Sequence, residues 1–403
     1  MRKQLQKIAL NTLPISLLRK RLPPHPNINS NTDQKQLLID VSAIAQSDAK
    51  TGIQRVVRNL YLALLSAPPL GFKIRPVAAT TQKAYGYLPT DFLQHQTVIS
   101  VLPIKVGNGD IFLGLDLSAH LIPHHLDQLW HWKSAGLRVS IVVYDLLPVL
   151  HPQWFNSKVT QNFHRWLRAI ALLADSTITI SRSVKTDFHE WMQLHHHQSS
   201  IDIPCDIIPL GSELDIGTNI TQVQLPQQLA QQKFVLMVGT IEPRKGYADA
   251  LDAFEKMWST GNQTYLVIVG KHGWKTKSLR QRLYTHCELN KRLNWFDNAD
   301  DKLLHTLYRH CIGVLITSKG EGYGLPIIEA IYFNKPVLAR DLPVFREIAG
   351  NAISYFSNEV GQALTLALPL WLAQIRVLQT QLHCSPQHTW SNSREVLLQT
   401  LNI

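Results

Sequence analysis

The apolar positions fall into short continuous runs, separated by longer stretches in which they recur at helical spacing. Residues 37–41, Leu-Leu-Ile-Asp-Val, read as a first buried strand. A loop through Ser47 to Gly52 follows, and then Ile53, Val56, Val57, Leu60, Tyr61 and Leu64 mark one face of a helix. Similar runs predict strands over 72–78, 110–115, 139–144, 177–180 and 207–209, with helices over 119–135 and 160–173 between them. Near Gly211 the pattern lapses, and residues 215–226 are polar and turn-rich. A second alternation then begins, with strands over 234–238, 265–269, 294–296, 313–317 and 336–339. Helices are predicted over 246–258, 279–287 and 302–310, again after Gly324, and in the tail from Leu364. Strands alternating with helices imply an α/β chain with parallel, doubly wound sheets. Two such blocks imply two Rossmann-like halves, and ligands in such halves bind at the carboxyl ends of the strands. The expected division is a basic segment and linker over 1–33, a first domain over 34–214, a linker over 215–228 and a second domain over 229–403.

Composition sharpens this picture at a few points. A length of 403 residues exceeds one compact core, which agrees with two domains. No apolar run is long enough to span a bilayer. The cysteines Cys205, Cys287, Cys311 and Cys384 lie far apart without CxxC spacing, which argues against a zinc site or disulfide framework and suits a reducing compartment. The net charge of +11 favours an anionic partner. The basic excess is clearest at the N-terminus, where Arg2, Lys3, Lys7, Arg19, Lys20 and Arg21 are interleaved with Leu5, Ile8, Leu10, Leu13, Leu17 and Leu18 and no acid occurs before Asn31. This pattern suits either a segment lying on an anionic membrane surface or a solvated basic tail. It makes a poor signal peptide, because Pro14 and polar residues interrupt the apolar stretch. A nucleic-acid partner is not expected, since no aromatic-basic signature or basic recognition helix is present. The run His195-His196-His197 reads as a polar surface loop, because consecutive histidines do not converge on one metal.

Candidate chemistry gathers where strands end. Ser318-Lys319-Gly320-Glu321-Gly322-Tyr323-Gly324-Leu325-Pro326-Ile327-Ile328-Glu329-Ala330 follows a buried strand and runs into a helical pattern. Glycines there allow close ligand approach, and a helix start beside a cleft favours anions. Val238-Gly239-Thr240-Ile241-Glu242-Pro243-Arg244-Lys245-Gly246 repeats the strand-to-helix arrangement. Cations at a helix start oppose its dipole, so Arg244 and Lys245 need another reason to be there, and a diphosphate supplies one. The bland alternatives are a capping carboxylate, a surface glutamate and solvated cations.

With these blocks in view, the chain resembles the retaining glycosyltransferases of the GT-B fold, in the large bacterial family 4 group. That fold has two Rossmann-like domains facing each other across a cleft. Glu321 and Glu329 match the family's paired glutamates. The resemblance implies that Glu321 is catalytic and contacts the donor sugar near the reacting carbon, and that Glu329 hydrogen-bonds the nucleotide ribose. It places Gly322, Tyr323, Gly324 and Leu325 around the donor, Arg244 and Lys245 on its phosphates, and Gly270 of Val269-Gly270-Lys271-His272-Gly273-Trp274 beside the nucleotide. Trp274 is equally well a packing residue. Thr51-Gly52-Ile53-Gln54-Arg55 resembles a signature of family members that build bacterial surface polysaccharides, with Thr51 and Gly52 near donor phosphate or acceptor. Asp145 stands where it could orient an acceptor hydroxyl, act as a base, or merely cap a turn. Relatives often carry His-Asp there, whereas this chain has Tyr144-Asp145. The resemblance also implies that the last helix crosses back to the first domain.

The implied function is retaining transfer of a hexose, preferably mannose or rhamnose, from a nucleotide-diphosphate sugar to a growing, lipid-linked bacterial glycan. The enzyme is expected in the cytoplasm or on the inner face of the cytoplasmic membrane. No cofactor is implied beyond the donor substrate. No clear Asp-x-Asp follows a strand, so the expectation is metal independence, with Arg244, Lys245 and helix N-termini neutralising the leaving diphosphate. The alternatives are the same fold with another donor, such as UDP-glucose or a UDP-N-acetylhexosamine, or a non-catalytic glycan-binding module.

Overall fold

The computed structural model describes residues 34–95, 99–100, 102–196, 202–211, 213, 224–357, 363–381 and 388–403. The chain divides into two units. The first is Met1–Pro152, Ser157–Leu210 and Trp390–Ile403, and the second is Gln153–Asn156 and Gly211–Thr389. The basic segment expected to meet membrane lies outside the described residues, as does most of the expected 215–228 linker.

The first unit is built on a sheet of seven strands: β1 (Lys35–Asp40), β2 (Phe72–Ala78), β3 (Gly86–Tyr87), β4 (Ile111–Gly114), β5 (Arg138–Val143), β6 (Ser176–Thr179) and β7 (Cys205–Ile207). Their order is β3-β2-β1-β4-β5-β6-β7, and every pairing is parallel except β2 with β3. β1 is buried from Gln36 to Asp40, as a strand covered on both faces must be. Its neighbours are β2 and β4, so the winding reverses between β1 and β4. The helix Gly52–Ser66 starts with a capping box in which Thr51 and Gln54 bond each other's backbone. The last helix, Trp390–Leu401, packs on Gly52–Ser66. Arg138 Nη2 donates to Leu401 O at 2.9 Å and Arg394 Nε to Ala67 O at 2.7 Å, which fasten that helix to the first unit.

The second unit is built on six parallel strands: β8 (Phe234–Val238), β9 (Tyr265–Val269), β10 (Leu293–Phe296), β11 (Gly313–Ile316), β12 (Val337–Arg340) and β13 (Ser354–Phe356), in the order β10-β9-β8-β11-β12-β13. Successive side chains of a strand point to opposite faces. Phe234 and Leu236 therefore join a core with Leu307, Ile327 and Phe345, while Val235 and Met237 join one with Leu251, Phe254 and Trp371. Trp371, from the helix Ala363–Gln381, lies so close over Gly313 that a Cβ there would come within 2.5 Å of its ring. The winding reverses between β8 and β11, which are paired at Val235–Gly313 and Leu236–Val314.

Several details depart from the sequence reading. The helix expected over 119–135 is a 3-10 turn, Ile122–His125, followed by the helix Leu126–Ser134, because Pro123 cannot donate to a preceding turn. The strand expected over 207–209 ends at Ile207, short of Pro209. His195 and His196 close the helix Arg182–His196 rather than lying in a loop, and the His195 ring stacks on Trp191 with centroids 4.3 Å apart. His197 lies outside the described residues.

Candidate active site

The polar side chains that converge in the second unit come from the loops leaving β8 and β11. These strands are neighbours at the winding reversal, so residues more than seventy positions apart in sequence meet there. Backbone groups stitch the loops together. Lys319 N donates to Arg244 O at 2.7 Å, Thr317 Oγ1 to Lys245 O at 2.7 Å, and Arg244 Nη1 to Gly320 O at 3.1 Å. Gly246 has φ +69°, and a Cβ on it would lie 2.3 Å from Thr317 O, so only glycine fits where the loops touch. Gly270, after β9, approaches the first loop equally closely, since a Cβ there would lie 2.0 Å from Gly239 O. Arg340, at the end of β12, is buried. It donates through Nε to Thr317 O at 3.1 Å and through Nη2 to Asp249 at 2.6 Å, which ties the root of the second loop to the helix Tyr247–Ser259.

Between the loops lies an ion-pair network. Arg244 Nη1 donates to Glu321 Oε2 at 2.6 Å, and Lys245 Nζ to Glu321 Oε1 at 2.5 Å. Ser318 Oγ donates to the same Oε1 at 2.7 Å, and Arg244 Nε donates to Glu242 Oε2 at 2.9 Å. The side chains of Glu321, Arg244 and Lys245 are 11%, 16% and 15% exposed, so the charges are shielded without being sealed from solvent. Burial pushes the Glu321 carboxyl up. The charges of Arg244 and Lys245, with hydrogen bonds from Lys245 and Ser318, outweigh that effect and hold it at about 2. Burial pushes the Glu242 carboxyl above its ordinary value against the pull of Arg244 and Lys245. Chemically, this is a partly enclosed cationic pair with a fixed, ionised carboxylate between the two. It can bind an anion and set a negative charge beside it, but Glu321 has no proton to give near neutral pH. Sequence reasoning gave no role to Glu242, Ser318 or Arg340. Only Glu242 carried a usable signal, an acid two residues before the arginine.

The other predicted donor-side residues surround this network. Gly322 is buried, and Gly324 caps the helix Leu325–Tyr332 with φ +130°. Tyr323 packs partly buried against the domain core, and Leu325 opens the helix. Glu329, one turn further on, is 3% exposed and accepts from Tyr308 Oη at 2.6 Å; the Tyr308 ring stacks on Phe333. Gly270 O accepts from Trp295 Nε1 at 2.9 Å. Trp274 has a packing role, donating to Trp154 O at 2.8 Å beside the Phe155 ring.

Thr51, Gly52 and Asp145 belong to the first unit. Thr51 is occupied with its capping box. Asp145 Oδ1 accepts from Leu147 N at 3.1 Å, which is the turn-capping geometry. Tyr144 is buried and donates to Leu115 O at 2.7 Å, so the chain's departure from the His-Asp pattern places a tyrosine in the core. The winding reversal of this sheet also holds two carboxylates that the sequence reading missed. Asp40, fully buried, accepts from Ser42 N at 3.0 Å, Ser42 Oγ at 2.5 Å and Tyr85 Oη at 3.0 Å. Burial pushes its carboxyl up to about 7, opposed by Ser42 and reinforced by the charge of Asp116. Asp116 Oδ2 accepts from Ile44 N at 2.7 Å, so the pair anchors the short helix Ser42–Gln46.

Comparison with known proteins gives a consistent result. Residues 223–372 match the family described as glycosyl transferases group 1. The serotype-specific mannosyltransferase WbdA of Escherichia coli is 36% identical over 390 residues, covering 92% of this chain and 45% of that protein. The chain thus spans about half the length of that relative. The O-antigen chain mannosyltransferase RfbU of Salmonella typhimurium is 24% identical over 220 residues, covering 55% of this chain and 57% of that one. Among solved structures, HepE of Anabaena in complex with UDP and glucose superposes with a TM-score of 0.58 at 16% identity, covering 91% of this chain and 96% of that one. At that identity the likeness shows a shared fold, the GT-B arrangement of two parallel-sheet α/β domains.

Proposed function

The chain belongs to the glycosyl transferases group 1 family through residues 223–372, and from that premise we propose that it is a retaining mannosyltransferase acting on a growing bacterial surface glycan. The observation that carries the reading is the convergence of Arg244, Lys245 and Glu321 at the carboxyl ends of β8 and β11. A nucleotide-diphosphate mannose is the proposed donor. Its diphosphate takes up the charge of Arg244 and Lys245, and Glu321 lies against the sugar. As the C1–O bond to the diphosphate breaks, negative charge grows on the leaving oxygen, and fixed cations lower the barrier most where charge grows. The acceptor oxygen forms its bond to C1 on the same face, and its proton passes to the departing phosphate. The ionised Glu321 stabilises positive charge developing on the sugar ring. Neutralisation by side chains supports a reaction that needs no metal.

The choice of mannose rests on likeness to WbdA and RfbU, which are named as mannosyltransferases, and the surface-glycan acceptor on the O-antigen named for RfbU. The first domain, with Thr51, Gly52 and Asp145, is proposed to serve the acceptor side. The basic residues Arg2 to Arg21 are proposed to hold the enzyme at an anionic membrane surface where a lipid-linked acceptor is found. Among the described residues, no helix is long and apolar enough to cross a membrane.

A thermal-shift panel of nucleoside diphosphates and nucleotide sugars, with and without EDTA, tests the donor site. A ligand bound by the folded state alone raises the melting temperature. The expected result is a shift with one base, unchanged by EDTA and markedly smaller in Arg244→Ala. Equal shifts in wild type and Arg244→Ala would refute the placement of the diphosphate.

A further inference from the structure

We propose that Glu242 is a positioning residue for diphosphate capture, acting through Arg244; this rests on the donor-site reading above. The guanidinium of Arg244 is engaged at two separate nitrogens. Nη1 faces Glu321 Oε2 at 2.6 Å and Gly320 O at 3.1 Å, while Nε donates to Glu242 Oε2 at 2.9 Å. An incoming phosphate competes with Glu321, because Glu321 is the carboxylate that Arg244 and Lys245 share. The bond to Glu242 lies at the other nitrogen and does not have to break when Nη1 changes partner. Glu242 therefore acts as a pivot that keeps the fork in place during the exchange.

The local structure suits that task. Glu242 is 6% exposed and sits in extended backbone at the entry to the turn Pro243–Lys245. Pro243 fixes φ between the acid and the arginine. The Glu242 carbonyl accepts Lys245 N at 3.0 Å, so one residue sets the path of both cations. Its side-chain stem is confined by the neighbouring loop: a Cβ on Gly273 would come within 3.0 Å of Glu242 Cγ. Ordering a flexible side chain before the ligand arrives lowers the entropic cost of binding. A solvated surface acid would give no such control, whereas a buried one loses more if its partner moves away.

The test is calorimetric titration of inorganic pyrophosphate, GDP and UDP into wild type, Glu242→Ala, Glu242→Gln, Arg244→Ala and the double variants. Pyrophosphate isolates the diphosphate contacts from those to the base. The expected result is about a tenfold loss of affinity in Glu242→Ala and a smaller loss in Glu242→Gln, whose amide oxygen still accepts from Nε. In the Arg244→Ala background neither change should weaken binding further, because a residue acting through Arg244 has nothing left to position. Losses of equal size in both backgrounds would make Glu242 merely structural and overturn the proposal. Wild-type affinity in both Glu242 variants would overturn it as well. If Glu242→Ala does not fold, the glutamine comparison in the two backgrounds decides. If Arg244→Ala binds as well as wild type, or wild type binds none of the probes, the donor-site reading falls and this inference with it.

Discussion

Replacing Glu321 by glutamine should change how stability depends on pH, and the size of the effect follows from the site. The folded-state carboxyl is held at about 2, against an ordinary value of 4.5. A carboxyl whose pKa falls on folding stabilises the native state above its unfolded value, and that stability is lost as pH falls through the folded value. A shift of this size corresponds to about 3 kcal/mol at pH 7. By pH 3, with the unfolded carboxyl mostly protonated, only about 1 kcal/mol remains. Urea unfolding of wild type and Glu321→Gln from pH 7 to pH 3 measures this directly. Carboxylates outside the Arg244–Lys245 network titrate alike in both proteins and cancel in the difference. The stability gap should be flat from pH 7 to about pH 5 and then shrink by about 2 kcal/mol down to pH 3. A gap independent of pH across that range would refute the claim that Arg244 and Lys245 hold Glu321 ionised.

Other expectations follow from single contacts. Gly246→Ala should lower stability by about 2 kcal/mol or more and weaken diphosphate binding, since a left-handed alanine costs about 1–2 kcal/mol and its Cβ would also collide with Thr317 O. Gly261→Ala is the control, with φ +87° and nothing within 4 Å of the added Cβ, and should cost the backbone contribution alone; equal melting temperatures for the two variants would contradict the close-approach account. Tyr308→Phe removes a donor from the buried Glu329 carboxylate and should cost about 1–3 kcal/mol in urea unfolding, with an unchanged midpoint counting against it. Thr51→Ala should lose about 1 kcal/mol through its capping box and Thr51→Ser should recover most of it. Equal stability of the two variants would mean that the cap contributes nothing.

Legibility from sequence varied with local physics. The strands predicted over 72–78, 234–238 and 265–269 match β2, β8 and β9 residue for residue, because β8 and β9 are compact apolar runs and β2 alternates apolar residues with Lys73 and Arg75. β3 spans two residues and β13 three, too few to show a period. The helix Arg182–His196 is polar over much of its length, and its apolar face is carried by only four spaced residues, Val184, Phe188, Trp191 and Met192, which are easily overlooked among polar neighbours. Within the site, each loop was readable from glycines and charges, but their meeting was not. It depends on β8 and β11 being sheet neighbours, which no local pattern encodes. Glu242 stood in plain view within its motif, yet its role became apparent only with the Nε contact. Tyr144 is explained by its bond to Leu115 O, a long-range contact with no sequence signal. Asp40 and Asp116 were likewise silent, since a single aspartate at a strand end has many uses.

The central claim is that the cation pair and Glu321 form the donor site of a retaining mannosyltransferase. Proton NMR of the first product from the nucleotide-diphosphate mannose whose base the thermal-shift panel selects, with a lipid-tailed glycan acceptor and EDTA present, tests it most directly. The account predicts transfer with the donor's anomeric configuration kept, and at least about a hundredfold slower transfer in Glu321→Gln and in Arg244→Ala. Transfer with inverted configuration, or at an undiminished rate in both variants, would contradict it.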